Sequence, residues 1–156
     1  MSAKELADKW LFQSLTAAQL ERLAGLFTPA GYQAGDLIFR QGDPADRVYV
    51  LESGEVELRH NAEDGGSLTI AVIRPQGILG WSAALGRTRY TSFAICTEAA
   101  SVLRVKGSDL RGLVTSEPDL GRLLLGRMAL VVAGRDDGSH LHLARLIRNE
   151  MGHAAL

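Results

Sequence analysis

The chain has 156 residues, with 17 Lys plus Arg against 18 Asp plus Glu, a formal charge of −1. That length holds one domain with a real core and is short for two, and the near-neutral balance gives no electrostatic drive toward nucleic acid or anionic membrane. A single cysteine, Cys96, excludes an internal disulfide, and no apolar run reaches the length of a membrane span, so a soluble, cytoplasmic protein is expected.

The first thirty residues read as helical. Thr16 and Gln19 have capping-box spacing, and Leu15 and Leu20 sit at the staple positions around that cap. Leu20, Leu23, Ala24 and Phe27 then share one helical face, and Pro29 is expected to stop the helix. Trp10 and Phe12 are expected to anchor this segment to the rest. Residues 31–106 read differently. The runs Leu37–Phe39, Val48–Leu51, Val56–Leu58, Leu68–Ile73 and Ser92–Cys96 suit strands, and Gly, Pro and Asp separate them. Asp64-Gly65-Gly66 suits a hairpin tip. Many short strands at this spacing argue for a barrel or sandwich, not a βαβ sheet. Helices return over 107–152. Ser108 is a candidate cap, and Ser116 with Asp119 has capping-box spacing around Pro118. Leu120, Leu123, Leu124, Met128, Val131 and Val132 form an apolar stripe. Gly134 and Gly138 leave two readings open, a break between two helices or one helix carrying both glycines. All 156 residues are read as one domain.

Residues 35–56 carry the most specific pattern. Gly35, Gly42 and Gly54 fall at turn positions, with Gly42-Asp43-Pro44-Ala45-Asp46 before Val48-Tyr49-Val50-Leu51 and then Gly54-Glu55-Val56. This run closely resembles the cyclic nucleotide-binding domain family, shared by cAMP-receptor-type regulators, kinase regulatory subunits and cyclic-nucleotide-gated channels. The resemblance covers roughly residues 10–133. It implies a mainly β fold, an eight-stranded antiparallel β-roll (jelly roll) with flanking N- and C-terminal helices. It also implies a short helical cassette that grips the phosphate and ribose of a cyclic nucleotide.

The cassette departs from the family. Its pattern is Gly-Glu-Leu-(Ala/Gly)-Leu, a variable loop, then Arg-(Ser/Thr/Ala)-Ala. Here the matching stretch is Gly80–Ser92. Gly80 is kept, Trp81 stands where the ribose-binding Glu is expected, and Tyr90 stands where the phosphate-binding Arg is expected, with Thr91 at the next, hydroxyl position. An indole has a donor and no acceptor for a ribose hydroxyl. A phenol gives one neutral hydrogen bond where a guanidinium gives a charged fork. Hydrogen bonds to charged groups contribute about 1.5–3 kcal/mol each, so losing both contacts removes several kcal/mol. Arg87 or Arg89 could supply charge from a shifted position, against the plainer reading of solvated loop cations. The expected pocket residues are Gly80, Trp81, Ser82, Ala83, Arg89, Tyr90 and Thr91, with Ile70 and Ile73 from the preceding strand. Two readings of this pocket stay open. One takes an altered ligand, cAMP, cGMP or another nucleotide-like molecule. The other closes the pocket and leaves a scaffold.

The 23 residues after Ala133 are too few for a winged helix-turn-helix, so direct DNA binding is not expected. With no added effector domain in view, a standalone regulatory module that signals to a separate effector protein is expected, and the resemblance implies a homodimer paired through the C-terminal helix. No Ser-His-Asp grouping, phosphate loop or zinc spacing is visible, which argues against an enzyme or a metal site. His60, His140, His142 and His153 read as surface histidines, and Cys96 as a small buried hydrophobe.

Overall fold

The computed structural model describes residues 1–134. Three helical pieces open the chain: α1 (Ala3–Ala7), a 3-10 turn (Trp10–Phe12) and α2 (Ala17–Ala24). The capping box at α2 forms as expected. Gln19 N–H donates to Thr16 Oγ1 at 3.1 Å, and Thr16 N–H donates to Gln19 Oε1 at 2.9 Å. The helix ends at Ala24 with Gly25 as its cap, five residues short of Pro29. Pro29 lies instead in β1 (Thr28–Tyr32), a strand the helical expectation for residues 1–30 had overrun. Proline is tolerated there because β1 is an edge strand, where its missing N–H breaks no ladder. Phe12 meets Phe27 edge-on, ring centroids 5.1 Å apart, and both are buried. Trp10, expected as a second anchor, is 41% exposed.

Seven further strands follow: β2 (Leu37–Phe39), β3 (Arg47–Ser53), β4 (Val56–Asn61), β5 (Ser67–Ile73), β6 (Ile78–Leu79), β7 (Phe93–Cys96) and β8 (Ala100–Lys106). They form two four-stranded antiparallel sheets, ordered β1-β8-β3-β6 and β2-β7-β4-β5. One contiguous core includes Val48, Leu51, Val56, Leu79, Ala94 and Val102. This is the eight-stranded roll that the resemblance implied. The β4–β5 hairpin turns through Asp64-Gly65-Gly66, with Gly65 at φ 89° and Asp64 Oδ1 accepting from Gly66 N–H at 2.9 Å. Cys96 is 1% exposed, and burial pushes its thiol up from the usual range.

After the roll come α4 (Gly107–Ser116) and α5 (Pro118–Ala133), with α3 (Trp81–Ala84) inserted earlier, between β6 and β7. Neither serine cap forms. α4 starts one residue before Ser108, from Lys106, without a side-chain cap. Ser116 is the last residue of α4, and its hydroxyl donates back to Gly112 O at 3.0 Å, so Glu117 takes the cap position of α5. Pro118 occupies the first turn as expected, where its lack of an N–H costs nothing. Leu120, Leu124 and Met128 of the apolar stripe are buried, whereas Leu123 is 40% exposed. On the other face Arg127 donates to Leu11 O at 3.0 Å and Gln13 O at 2.7 Å, which fastens α5 to the N-terminal helices. The continuity of the helix through Gly138, and His140, His142 and His153, lie outside the described residues.

Candidate functional site

The cassette begins where β6 ends. Gly80 caps α3 at φ 74°, a conformation that favours glycine. A Cβ there would stand 2.7 Å from Arg47 O and 3.3 Å from the ring of Tyr90, so both backbone angle and space require the glycine. Trp81 and Ser82 are half-buried, and Trp81 packs against the core. Ala83 is fully buried, and its carbonyl accepts from Gly86 N–H at 3.3 Å and from the Arg111 guanidinium of α4. Gly107, at the start of α4, lies so close that a Cβ there would come 2.1 Å from Ala83 O. The cassette helix thus rests directly on α4.

Residues 85–89 form an exposed loop, and the chain then returns along the β2–β3 loop. Ala45 N–H donates to Thr88 O, Tyr90 N–H to Asp43 O and Gly42 N–H to Tyr90 O, at 2.9–3.0 Å. Arg89 adds a bond from its guanidinium to Gly42 O at 2.7 Å. These bonds strap the far end of the cassette to the Gly42–Ala45 turn.

Tyr90 completes the strap from inside. Its hydroxyl donates to Arg47 O at 2.6 Å and accepts from Arg47 N–H at 3.1 Å. Its ring stacks on Phe39 with centroids 4.0 Å apart, and Phe39 in turn stacks on Tyr49 at 5.9 Å. Tyr90 is only 4% exposed. Burial is the main reason its hydroxyl titrates above the ordinary tyrosine range, partly offset by the Arg47 backbone bond. Burial likewise raises Tyr49, and the neighbouring Tyr90 adds to the effect.

The expected pocket residues therefore separate. Gly80, Ala83 and Tyr90 belong to one packed cluster with Phe39, Arg47 and Tyr49. Ile70 is buried at the bulge where the β4–β5 register shifts. Ile73 lies against Gly77 at the β5–β6 turn. Thr91 is exposed, and its carbonyl meets His60 Nδ1 at 3.1 Å. Sequence reading missed Arg47, Gly107 and Arg111. Arg47 acts through its backbone, which side-chain identity does not reveal, and Arg111 reaches Ala83 across 28 residues. Cavities of about 220, 510 and 580 Å³ lie elsewhere, at Trp10 and Leu51, at Ile73 and Leu130, and at Tyr32 and Ser101. Among the described residues no three His, Cys, Asp or Glu side chains group to hold a metal, and no helix is long and apolar enough to cross a membrane.

Comparison with known proteins agrees with this architecture. A provisionally named potassium channel protein of Rhodopseudomonas palustris is 29% identical over 133 residues, covering 85% of this chain and 31% of its own. The CRP-like cAMP-activated global transcriptional regulator of Mycobacterium tuberculosis is 24% identical over 124 residues, covering 80% of this chain and 55% of its own. The chain thus spans less than two thirds of either relative. Among solved structures, a provisionally named cyclic nucleotide-binding protein from Geobacter metallireducens superposes with a TM-score of 0.74 at 29% identity, covering 86% of this chain and 98% of that one. The family model for the cyclic nucleotide-binding domain matches residues 30–117, from β1 through α4. The chain belongs to the cyclic nucleotide-binding domain family.

Proposed function

We propose that this domain is a regulatory module whose cassette reads something other than an ordinary cyclic nucleotide and reports through α4 and α5. One observation carries the reading. Tyr90, which the motif reading sets against the family's phosphate-binding arginine, has its hydroxyl and ring both engaged by the roll. A neutral phenol held this way has no charge to set against a phosphate. Trp81 adds no acceptor for a ribose hydroxyl. cAMP and cGMP are therefore poor ligands, and a less charged or more aromatic nucleotide-like molecule is the better fit.

The output route follows from contact. Arg111 and Gly107 tie α4 to the carbonyl of Ala83, so a shift of α3 moves α4 and, through Glu117, α5. The outer face of α5 carries Leu123 and Leu130, 40% and 70% exposed, with Gly126 in open space between them. A glycine inside a helix costs about 1 kcal/mol relative to alanine. Close approach of the same helix from a second copy would offset that cost, which supports a homodimer.

A second reading, a closed scaffold that binds no small ligand, draws on the Phe39, Tyr49 and Tyr90 stack beside Gly80. Thermal unfolding against a nucleotide panel separates the two. A ligand present at 100 times its dissociation constant stabilises the folded state by about 2.7 kcal/mol, which a melt resolves. The altered-cassette reading expects no shift with cAMP or cGMP and a shift with another nucleotide-like compound. Silence across the panel would favour the scaffold, and a clear shift with cAMP or cGMP would overturn the altered cassette.

A further inference from the structure

The loop between α3 and the strap holds a combination that neither packing nor the cassette explains. Leu85 ends α3 and is 56% exposed. Two residues on is Arg87, exposed and without a side-chain partner among the described residues. The guanidinium of Arg111 lies 3.8 Å from where a Cβ on Gly86 would stand. Arg89 is held against the β2–β3 loop by its bond to Gly42 O, and Arg40 lies at the start of the same loop. All four arginines are exposed, and none forms an ion pair among the described residues.

Arg47 and Lys106, paired across β3 and β8, add two more cations on the strands that flank this loop and α4. The acids on the same elements are Asp43, Asp46, Asp109 and Glu52, the last paired with Lys9. Asp43 is engaged by the amide of Arg40, and Asp109 sits in the first turn of α4. Cations therefore outnumber acids on these elements of a chain whose total charge is −1. A lone exposed leucine is ordinary, and so is a lone surface arginine. An apolar anchor with Arg87 and Arg111 at its side and Arg89 on the same loop, two of the three already oriented by backbone carbonyls, has the composition of a protein interface.

We propose that this cassette tip docks an acidic, leucine-bearing segment of a partner protein. The segment's carboxylates pair with the arginine forks, and its leucine packs on Leu85. Nucleic acid fits less well. A phosphate backbone brings no apolar group to Leu85 and meets Asp43, Asp46 and Asp109 with like charge. The proposal rests on the reading that the cassette communicates with an effector. It places that effector on the outer tip of the element, connected to α4 through Arg111 and Ala83.

The test is fluorescence anisotropy with the full chain and a labelled peptide, Glu-Glu-Leu-Glu-Glu-Leu-Glu-Glu. Saturable binding is expected, weakened about tenfold or more by Arg87→Glu and by Leu85→Ser, as befits a charged rim and a central anchor. Salt should weaken it as well. Arg87 has no side-chain contact to lose, and Leu85→Ser removes an exposed group, so both variants should melt like the native chain. Absence of saturable binding would overturn the proposal, as would affinity unchanged in both variants. Equal or tighter binding of a single-stranded oligonucleotide of the same length would also overturn it, since the surface would then be a general polyanion site. A peptide that fails while the nucleotide panel behaves as expected removes only the docking surface. A cAMP-induced shift removes only the altered-cassette reading.

Discussion

The turn framework of residues 35–56 and the cassette of residues 80–92 rely on the same backbone device. Gly35, Gly42 and Gly54 take φ of 89–90°, and Gly80 takes 74°. In the framework the family pattern persists in side chains as well as glycines. In the cassette the glycine persists, and on the proposed reading Trp81 and Tyr90 stand where the family's ligand-contacting side chains are expected. The difference teaches that the geometry of the roll and the chemistry of its site are separable. The glycines are held by space and backbone angle, which no ligand sets. The contact side chains answer only to what they touch, and here Tyr90 touches the roll itself.

The strongest way to break this comparison is to restore the family's arginine. Tyr90→Arg would bury a guanidinium against Phe39, with the charge of Asp46 offsetting only part of the desolvation cost. A loss of about 4 kcal/mol or more is expected by chemical denaturation. Recovery of cAMP affinity without loss of stability would show that the pocket still accepts the old chemistry. On the framework side, Gly54→Ala would place a methyl 2.2 Å from Ala99 O at φ 89°. Its expected cost is about 3–4 kcal/mol in the same assay, the sum of strain and overlap.

Smaller effects sharpen the picture. Arg127→Ala removes the bonds to Leu11 O and Gln13 O and should cost about 1–2 kcal/mol. Alkaline pH should act through the aromatic cluster. Tyr49 and Tyr90 titrate higher in the fold than in the unfolded chain, where tyrosine ionises near pH 10, at about 10. The unfolded chain then loses protons first, so the stability these groups contribute is complete below about pH 10 and declines as pH rises through the folded values. Tyr49→Phe should flatten that decline in a series of melts above about pH 9. The smallest expected change is a gain. Gln76 sits at φ 76° in the Pro75-Gln76-Gly77 turn, a position where glycine carries no steric penalty. Gln76→Gly should stabilise by about 0.5–1 kcal/mol.

Much of the roll was legible because its signals are local. The Thr16 and Gln19 capping box, the Asp64-Gly65-Gly66 tip and the five apolar runs each encode their structure within a few residues. β1 escaped notice because Thr28-Pro29-Ala30-Gly31-Tyr32 carries two residues that ordinarily interrupt strands, and only its edge position makes them acceptable. The serine caps misled for the opposite reason. Ser108 and Ser116 have the right chemistry, but α4 starts from the backbone of β8 and ends at Ser116. At the site, Tyr90 as a proposed counterpart of the family's arginine was readable. Its bond to Arg47 was not, because it joins a side chain to a backbone 43 residues away.

On the proposed reading Tyr90 holds the cassette to the roll and does not hold a ligand. Tyr90→Phe tests it most directly, with unfolding free energy and cAMP response measured on the same preparation. Deleting the hydroxyl leaves the N–H and carbonyl of Arg47 without that partner. A loss of about 1–3 kcal/mol is predicted, with the native chain and the variant equally unresponsive to cAMP. Unchanged stability together with a changed cAMP response would contradict the account and return Tyr90 to the ligand site.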